Sequence, residues 1–178
     1  VSNTAIGYES LSANTIGNNN TANGYQALKS NTTGNYNTAV GFLALTANVS
    51  GFYNTAIGYK SLLTNNTGHH NTATGRRALS NNTGGSYNTA IGNAALYYNI
   101  GGENNTAVGH EALFKNTTGS KNTAIGYRAI STTTTVTGLT AIGYEALGAN
   151  TSGVSNTAIG YESLSANTIG NNNTANGY

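Results

Sequence analysis

The sequence predicts an all-β chain: a parallel β-solenoid (β-roll) of 17-residue coils, with two short strands in each coil. Three observations lead there. The chain repeats with a fixed period of 17, its recurrent glycines exclude a helix, and only 7% of its residues are charged. Units begin at Asn3, Asn20, Asn37, Asn54, Asn71, Asn88, Asn105, Asn122, Leu139, Asn156 and Asn173. Ten full units run from Asn3 to Asn172 and a partial unit follows, so the 178 residues read as a single repeat domain. The consensus is N-T-A-I/V-G-Y-x-A/S-L-x-x-N-T-T-G-x-x, with its positions numbered as slots 1 to 17.

Each element follows from the unit. Thr-Ala-Ile-Gly-Tyr reads as a first short strand, with glycine permitting a tight bend. A second short strand is expected through slots 7 to 11, around the recurrent leucine. Asn-Thr-Thr-Gly then reads as a turn, its glycine supplying a positive φ. A helical unit is disfavoured, since two glycines cost about 1 kcal/mol each relative to alanine in a helix interior. It would also require a longer repeat, of roughly 33 residues or more. Stacked coils place identical slots one above another at about 4.8 Å. The expected ladder in the first coil is Thr4, Ala5, Ile6, Gly7, Leu11, Asn14 and Gly17. Asparagines stacked in this way are expected to bond side chain to side chain.

Within the chain, the threonine of slot 2, the alanine of slot 3 and the glycine of slot 5 never vary. Alternation along the strand puts Thr4, Ile6 and Tyr8 on one side and Ala5 and Gly7 on the other. With Ile/Val joining leucine inside, the core is Ile6, Leu11, Leu28, Val40, Leu45, Ile57 and Leu62 onward. Asn23 and Thr74 then need buried partners, and the Ala/Gly face is flat and external. So thin a core is expected to be completed by lateral association of chains.

Two irregularities stand out. Val1–Tyr25 and Val154–Tyr178 are the same string, offset by 153 residues, which is nine units. That identity predicts a higher-order module of nine units and a longer parent chain, as does the absence of an initiator methionine. The unit from Asn122 ends Ile-Ser-Thr-Thr-Thr-Thr-Val-Thr-Gly and lacks the usual asparagine and glycine, with Gly138 expected to take over the turn.

Little chemistry is encoded. There is no Cys, and so no disulfide, thiolate metal site or thiol nucleophile. Neither a signal peptide nor a stretch of ~18–20 apolar residues able to span a membrane is visible. A net charge of +2 argues against nucleic acid as a partner. Glu9, Glu111, Glu145 and Glu162 share slot 7 with Lys60, Arg77 and Arg128, which reads as a solvated mixed-charge edge. His69 and His70, adjacent at a turn, are expected to point apart, and His110 stands alone. No ligand spacing predicts a metal or any cofactor. The strict period leaves no insertion to carry a catalytic group, so the chain reads as no enzyme. Triplets of the N-x-S/T type at Asn31, Asn48, Asn65, Asn116 and Asn150 fall at turns, where glycans could sit.

Aromatics recur at slot 6 (Tyr8, Tyr25, Phe42, Tyr59, Tyr127, Tyr144, Tyr161, Tyr178) and at slot 17 (Tyr36, Tyr53, Tyr87). They read first as an aromatic ladder or an inter-chain contact, and second as a glycan platform. Tyr97, Tyr98, Phe114 and Lys115 form the richest exposed edge.

The unit N-T-A-I-G-Y-x-A-L-x-x-N-T-T-G resembles repeat arrays of long bacterial and phage-like fibre proteins, across the whole chain. Its core is more distantly similar to the S/T-x-A-I-G repeats in the head domains of trimeric autotransporter adhesins. The adhesin resemblance implies a β-roll of three chains wound together on a bacterial surface. The adhesin repeats are shorter and favour an apolar residue where this chain has Thr4, Thr21 and Thr38. The function expected is a structural, extracellular or cell-surface filament segment that self-associates as a rigid rod. The alternatives are an adhesin binding a glycan or a cell-surface protein, and an ice-binding solenoid using the threonine column.

Overall fold

The computed structural model describes residues 2–178. Its eleven strands have three residues each and recur every 17, from β1 (Thr4–Ile6) and β2 (Thr21–Asn23) through to β11 (Thr174–Asn176). All lie in one parallel sheet in sequence order, and β1 pairs with β2 as Thr4↔Thr21, Ala5↔Ala22 and Ile6↔Asn23. The chain is therefore a β-solenoid, with coils stacked like on like. At ~4.8 Å per coil the ten coils make a rod roughly 48 Å long.

Each coil has one strand, not two. The stretch expected to be a second strand turns instead, because slots 7 and 9 are left-handed. Gln26 has φ 52° and Leu28 φ 54°, and the values repeat in every coil. Non-glycine residues rarely enter this region, at roughly 1–2 kcal/mol each. Inter-coil hydrogen bonding survives the turn: Gln26 N–H donates to the Tyr8 carbonyl at 2.8 Å, and Leu28 N–H to the Ala44 carbonyl at 3.0 Å. Those bonds, with complete burial of the leucine, hold the unfavourable backbone in place.

The strand faces are the reverse of the sequence expectation. Ala22, Ala39, Ala56 and their equivalents as far as Ala158 are fully buried, and Ile57, Ile91 and Ile125 are exposed. A coil of this diameter has room inside for a methyl from the strand and a leucine from the turn. The core is thus the slot-3 alanines, the slot-8 alanines and serines, the slot-9 leucines (Ile130 in one coil), and two columns of asparagine. Leu28 through Leu147 reach full burial inside one chain, so no partner is needed to complete the core. In the first coil Ala5 and Ile6 are exposed and Leu11 is buried. Asn23 and Thr74 face outward and need no buried partner.

The asparagines fasten coil to coil in two ways. At slot 12, Asn48 Nδ2 donates to Asn31 Oδ1 at 2.8 Å, Asn65 to Asn48 at 2.8 Å and Asn82 to Asn65 at 2.7 Å, a side-chain ladder. At slot 1 the side chain meets the backbone: Asn37 N–H donates to Asn20 Oδ1 at 2.9 Å, and Asn54 N–H to Asn37 Oδ1 at 3.0 Å. Both columns converge on one carbonyl. Gly34 O accepts from Asn20 Nδ2 at 2.8 Å and from Asn31 Nδ2 at 3.0 Å, filling its two lone pairs.

That convergence explains the glycine of slot 15. It does not carry the positive φ expected of it. Its missing side chain admits its neighbours instead: a Cβ on Gly85 would lie 2.5 Å from Asn82 Oδ1 and 2.7 Å from Asn99 Nδ2. The slot-5 glycines are needed on both counts, since Gly58 has φ 129° and a Cβ there would strike the Gly75 carbonyl carbon at 2.8 Å.

Gly102→Ala should destabilise the rod by about 1–3 kcal/mol through overpacking. Gly101→Ala, one residue away with nothing within 4 Å, should be neutral or slightly stabilising. Thermal melting followed by circular dichroism compares the two directly.

Candidate functional site

With alanine inside, alternation places slots 2 and 4 on the outer face of the sheet. The outer columns are threonine and Ile/Val, in register along the rod. Ile91 is 42% exposed and Ile125 37%, and the threonines beside them are half-buried. No charged residue occurs anywhere in slots 1 to 5. Every Lys, Arg and Glu lies on slots 6, 7, 10, 11, 16 or 17. The strand face of the rod is therefore uncharged and partly apolar, as is the corner at slots 13 and 14, where Ile16, Val49 and Ile100 are exposed, and the charges lie on the other exposed slots.

Slot 6, beyond the glycine bend, carries the aromatic ladder. Tyr8, Tyr25, Phe42 and Tyr59 stack with ring centroids 5.1–5.5 Å apart, and His110, Tyr127, Tyr144, Tyr161 and Tyr178 stack at 4.9–5.5 Å. A second ladder at slot 17 runs Tyr36, Tyr53, His70 and Tyr87. Slot-17 residues are left-handed too, and Gly138 sits there with φ 77°. It fills that recurrent position and does not replace the slot-15 turn.

The slot-6 ladder breaks at Arg76 and Asn93. Beside the break the aromatics reappear at slots 10 and 11. Tyr97 stacks on Phe114 at 5.5 Å, and Tyr98 meets Tyr97 and Phe114 edge-on at 4.7 and 5.2 Å. The structure thus brings Tyr97, Tyr98 and Phe114 together, with Lys115 exposed beside them. It adds residues the sequence reading did not join to them: Arg76, Arg77, Asn93, His110 and Glu111 line the same groove, of about 390 Å³. Aligning slots 6 and 7 of coils five to seven with slots 10 and 11 would have found them. A smaller groove of about 270 Å³ continues from it through Glu111, Lys115 and Arg128. A third, of about 420 Å³, continues past Arg128 to Glu145 and Glu162.

The charged edge pairs locally. Arg128 Nε bonds Glu111 Oε2 at 2.7 Å along slot 7, and Lys29 Nζ bonds Glu9 Oε2 at 2.6 Å. The Lys29 ammonium and then the Gln26 amide hold the Glu9 carboxyl below its ordinary value. Hydrogen bonding to Glu9 raises Lys29, and hydrogen bonding to Glu111 raises Arg128. The negative charge of Glu145 pushes the Tyr144 hydroxyl up, and a hydrogen bond to Glu162 does so for Tyr161.

Two sequence expectations change. His69 and His70 do not point apart: their Nδ1 atoms lie 3.1 Å from one another, with His69 stacked on Phe52 and His70 on Tyr87. Asn31, Asn48, Asn65, Asn116 and Asn150 are fully buried, with Nδ2 engaged in the core, so these five cannot carry a glycan in the folded rod. Among the described residues no group of three or more His, Cys, Asp or Glu could hold a metal. No helix there is long and apolar enough to cross a membrane.

The unit from Asn122 breaks the internal ladder. Thr133 stands in slot 12, Val136 in slot 15 and Leu139 in the next slot 1, all buried. Backbone carbonyls and amides keep two of the three connections: Asn122 Nδ2 donates to Val136 O at 2.7 Å, and Leu139 N–H to Asn122 Oδ1 at 2.9 Å. The third is lost. Asn116 Oδ1 and Thr133 Oγ1 are buried with no hydrogen-bond partner.

No protein-family model, no curated protein and no solved structure matches the chain.

Thr133→Asn together with Val136→Gly, which clears the space that a slot-12 amide needs, should restore the ladder and raise stability by about 1–3 kcal/mol, the cost of a buried unpaired group. Denaturant unfolding of the two proteins measures it. The stabilisation contributed by Glu9 is complete above the ordinary carboxylate range and is lost as pH falls through its lowered pKa. It is small, because the pair is exposed. Melting curves of wild type and Glu9→Gln should differ slightly near neutral pH and converge in acid.

Proposed function

We propose that this chain is a segment of an extracellular or cell-surface fibre whose rods associate side by side. One observation carries the reading: the uncharged Thr and Ile/Val face lies outward, in register, along the whole rod. Nothing inside the molecule calls for that face. The core closes without it, and isoleucine at slot 4 gains nothing over the Asn23 and Asn176 that also fill the slot. Apolar side chains held in the open along one line favour a second surface of the same kind.

The size of the face sets the strength of the contact. Three residues of strand width by eleven strands is roughly 500 Å² per copy. Two copies then cover roughly 1,000 Å², at the lower bound for a specific interface. Association between single rods is weak and grows in proportion to the number of coils. A repeating chain suits that behaviour, since each added coil extends both the rod and its contact.

The ice-binding alternative would use the same columns. The half-burial of the threonine hydroxyls, and the change from Ile or Val to Asn23 and Thr74 in the neighbouring column, make the array a poor lattice match. A thermal hysteresis assay separates the two readings.

Sedimentation velocity over a concentration series should show rods assembling laterally. Ile91→Asn, Ile125→Asn and Ile142→Asn together should shift them to single rods, with melting unchanged because asparagine already occurs at this slot. A wild-type chain that remains a single rod at every concentration refutes the reading.

A further inference from the structure

The groove on coils five to seven lies on the charged side of the rod, away from the face assigned to lateral contact. There two neighbouring surface columns depart from the repeat together. Slot 6 gives up its tyrosine or phenylalanine for Arg76, Asn93 and His110, and slots 10 and 11 take Tyr97, Tyr98, Phe114 and Lys115. Neither change serves the rod. The first interrupts an aromatic ladder, and the second sets large rings on a surface where other coils have mostly Ser, Ala or Thr.

The charges in this groove are unbalanced. Arg76, Arg77 and Lys115 make no ion pair among the described residues, whose two ion pairs are Lys29–Glu9 and Arg128–Glu111. Arg76 lies over the Tyr59 ring at 6.0 Å, which steadies the guanidinium without neutralising it. Glu111 is the one carboxylate lining the groove, and Arg128 already engages it. Adjacent guanidiniums offer planar paired donors, which suit a carboxylate in two-point contact. Asn93 and His110 add hydrogen-bonding groups at the edge, and Tyr98, 45% exposed, adds a ring and a hydroxyl.

We propose that this groove binds a short segment of an acidic polysaccharide, a chain of uronic-acid type. Arg76 and Arg77 take the sugar carboxylate, Tyr98 and Phe114 support the apolar face of a sugar ring, and Asn93 and His110 meet its hydroxyls. The open groove matches a polymer that is recognised along its side and needs no enclosure. Nucleic acid fits less well. A strand of phosphates needs cations along its track, and here Glu111 lies between the cations while Glu145 and Glu162 follow two and three coils on. Tyr97 and Phe114 stack on one another, so no gap between them receives a base.

The test uses the whole rod and three probes: oligogalacturonate, neutral dextran and a single-stranded oligonucleotide, by isothermal titration at low and at physiological salt. Oligogalacturonate should bind saturably and dextran should not. Arg76→Gln with Arg77→Gln, and separately Tyr98→Ser with Phe114→Ser, should each weaken binding about tenfold or more. Lys121→Gln, a cation on slot 17, should leave it unchanged. The arginine variant touches exposed side chains and no core group, so it decides the matter even if the aromatic variant melts. Repeating the titration on the Ile91→Asn, Ile125→Asn, Ile142→Asn protein keeps the result separate from lateral association. Absent saturable binding of oligogalacturonate, equal binding by the arginine variant, or tighter binding of the oligonucleotide would each overturn the assignment.

Discussion

Eight of the ten full coils of this rod are fastened at the carbonyl of the slot-15 glycine, and the coils from Asn122 and Leu139 keep one such bond each. In the eight, two asparagines meet there, one from the start of the coil and one from its far turn. The chain closes on itself and stacks on its neighbour through the same few atoms. Much else follows from the tightness of that junction. Only glycine fits at its centre where a slot-12 asparagine lies beside it, and only an amide supplies both the donors and the acceptor. The coil it draws shut has room inside for alanine and leucine and little more, so isoleucine, valine and the aromatics are left outside.

The repeat made the architecture legible. A fixed period with invariant threonine, alanine and glycine leaves few folds besides a stack of coils, and Asn14 and its equivalents sit in a side-chain ladder as their spacing implies. The internal geometry was harder to read, for two physical reasons. Alternation says that Ala5 and Ile6 lie on opposite sides of the strand but does not say which is inside; that depends on the coil diameter, and a narrow coil chooses the smaller residue. The left-handed backbone at Gln26 and Leu28 carries no sequence signal, because burial and inter-coil bonds impose it on residues that would not adopt it alone. For the candidate groove, the aromatic half was visible as an unusual run. The cationic half was hidden, because Arg76 and Arg77 are some twenty residues away in sequence and meet Tyr97 and Tyr98 only when coils are stacked.

Separation of roles among the columns links the fold to the proposed functions. The columns that hold the rod together are buried and uncharged, so they impose nothing on the exposed slots. Slots 6, 7, 10 and 11 can then change from coil to coil without disturbing the stack, as the sequence shows by placing Glu, Lys, Arg, Leu and Ala in the same slot. A short run of coils can specialise while the rest repeat.

The asparagine ladder also gives the rod a direction. Each slot-12 amide presents its N–H toward the preceding coil and its oxygen toward the next, from Asn31 on Asn14 to Asn116 on Asn99. Aligned amide dipoles add, as peptide dipoles do in an α-helix, leaving partial positive charge at the early end of the column and partial negative charge at the late end. The negative pole is the bare oxygen of Asn116, facing Thr133 inside the rod, and a fresh column starts at Asn150. The molecule is thus two polarised segments laid head to tail across an insulating coil, so two rods lying side by side have an electrical reason to prefer one relative orientation over the other.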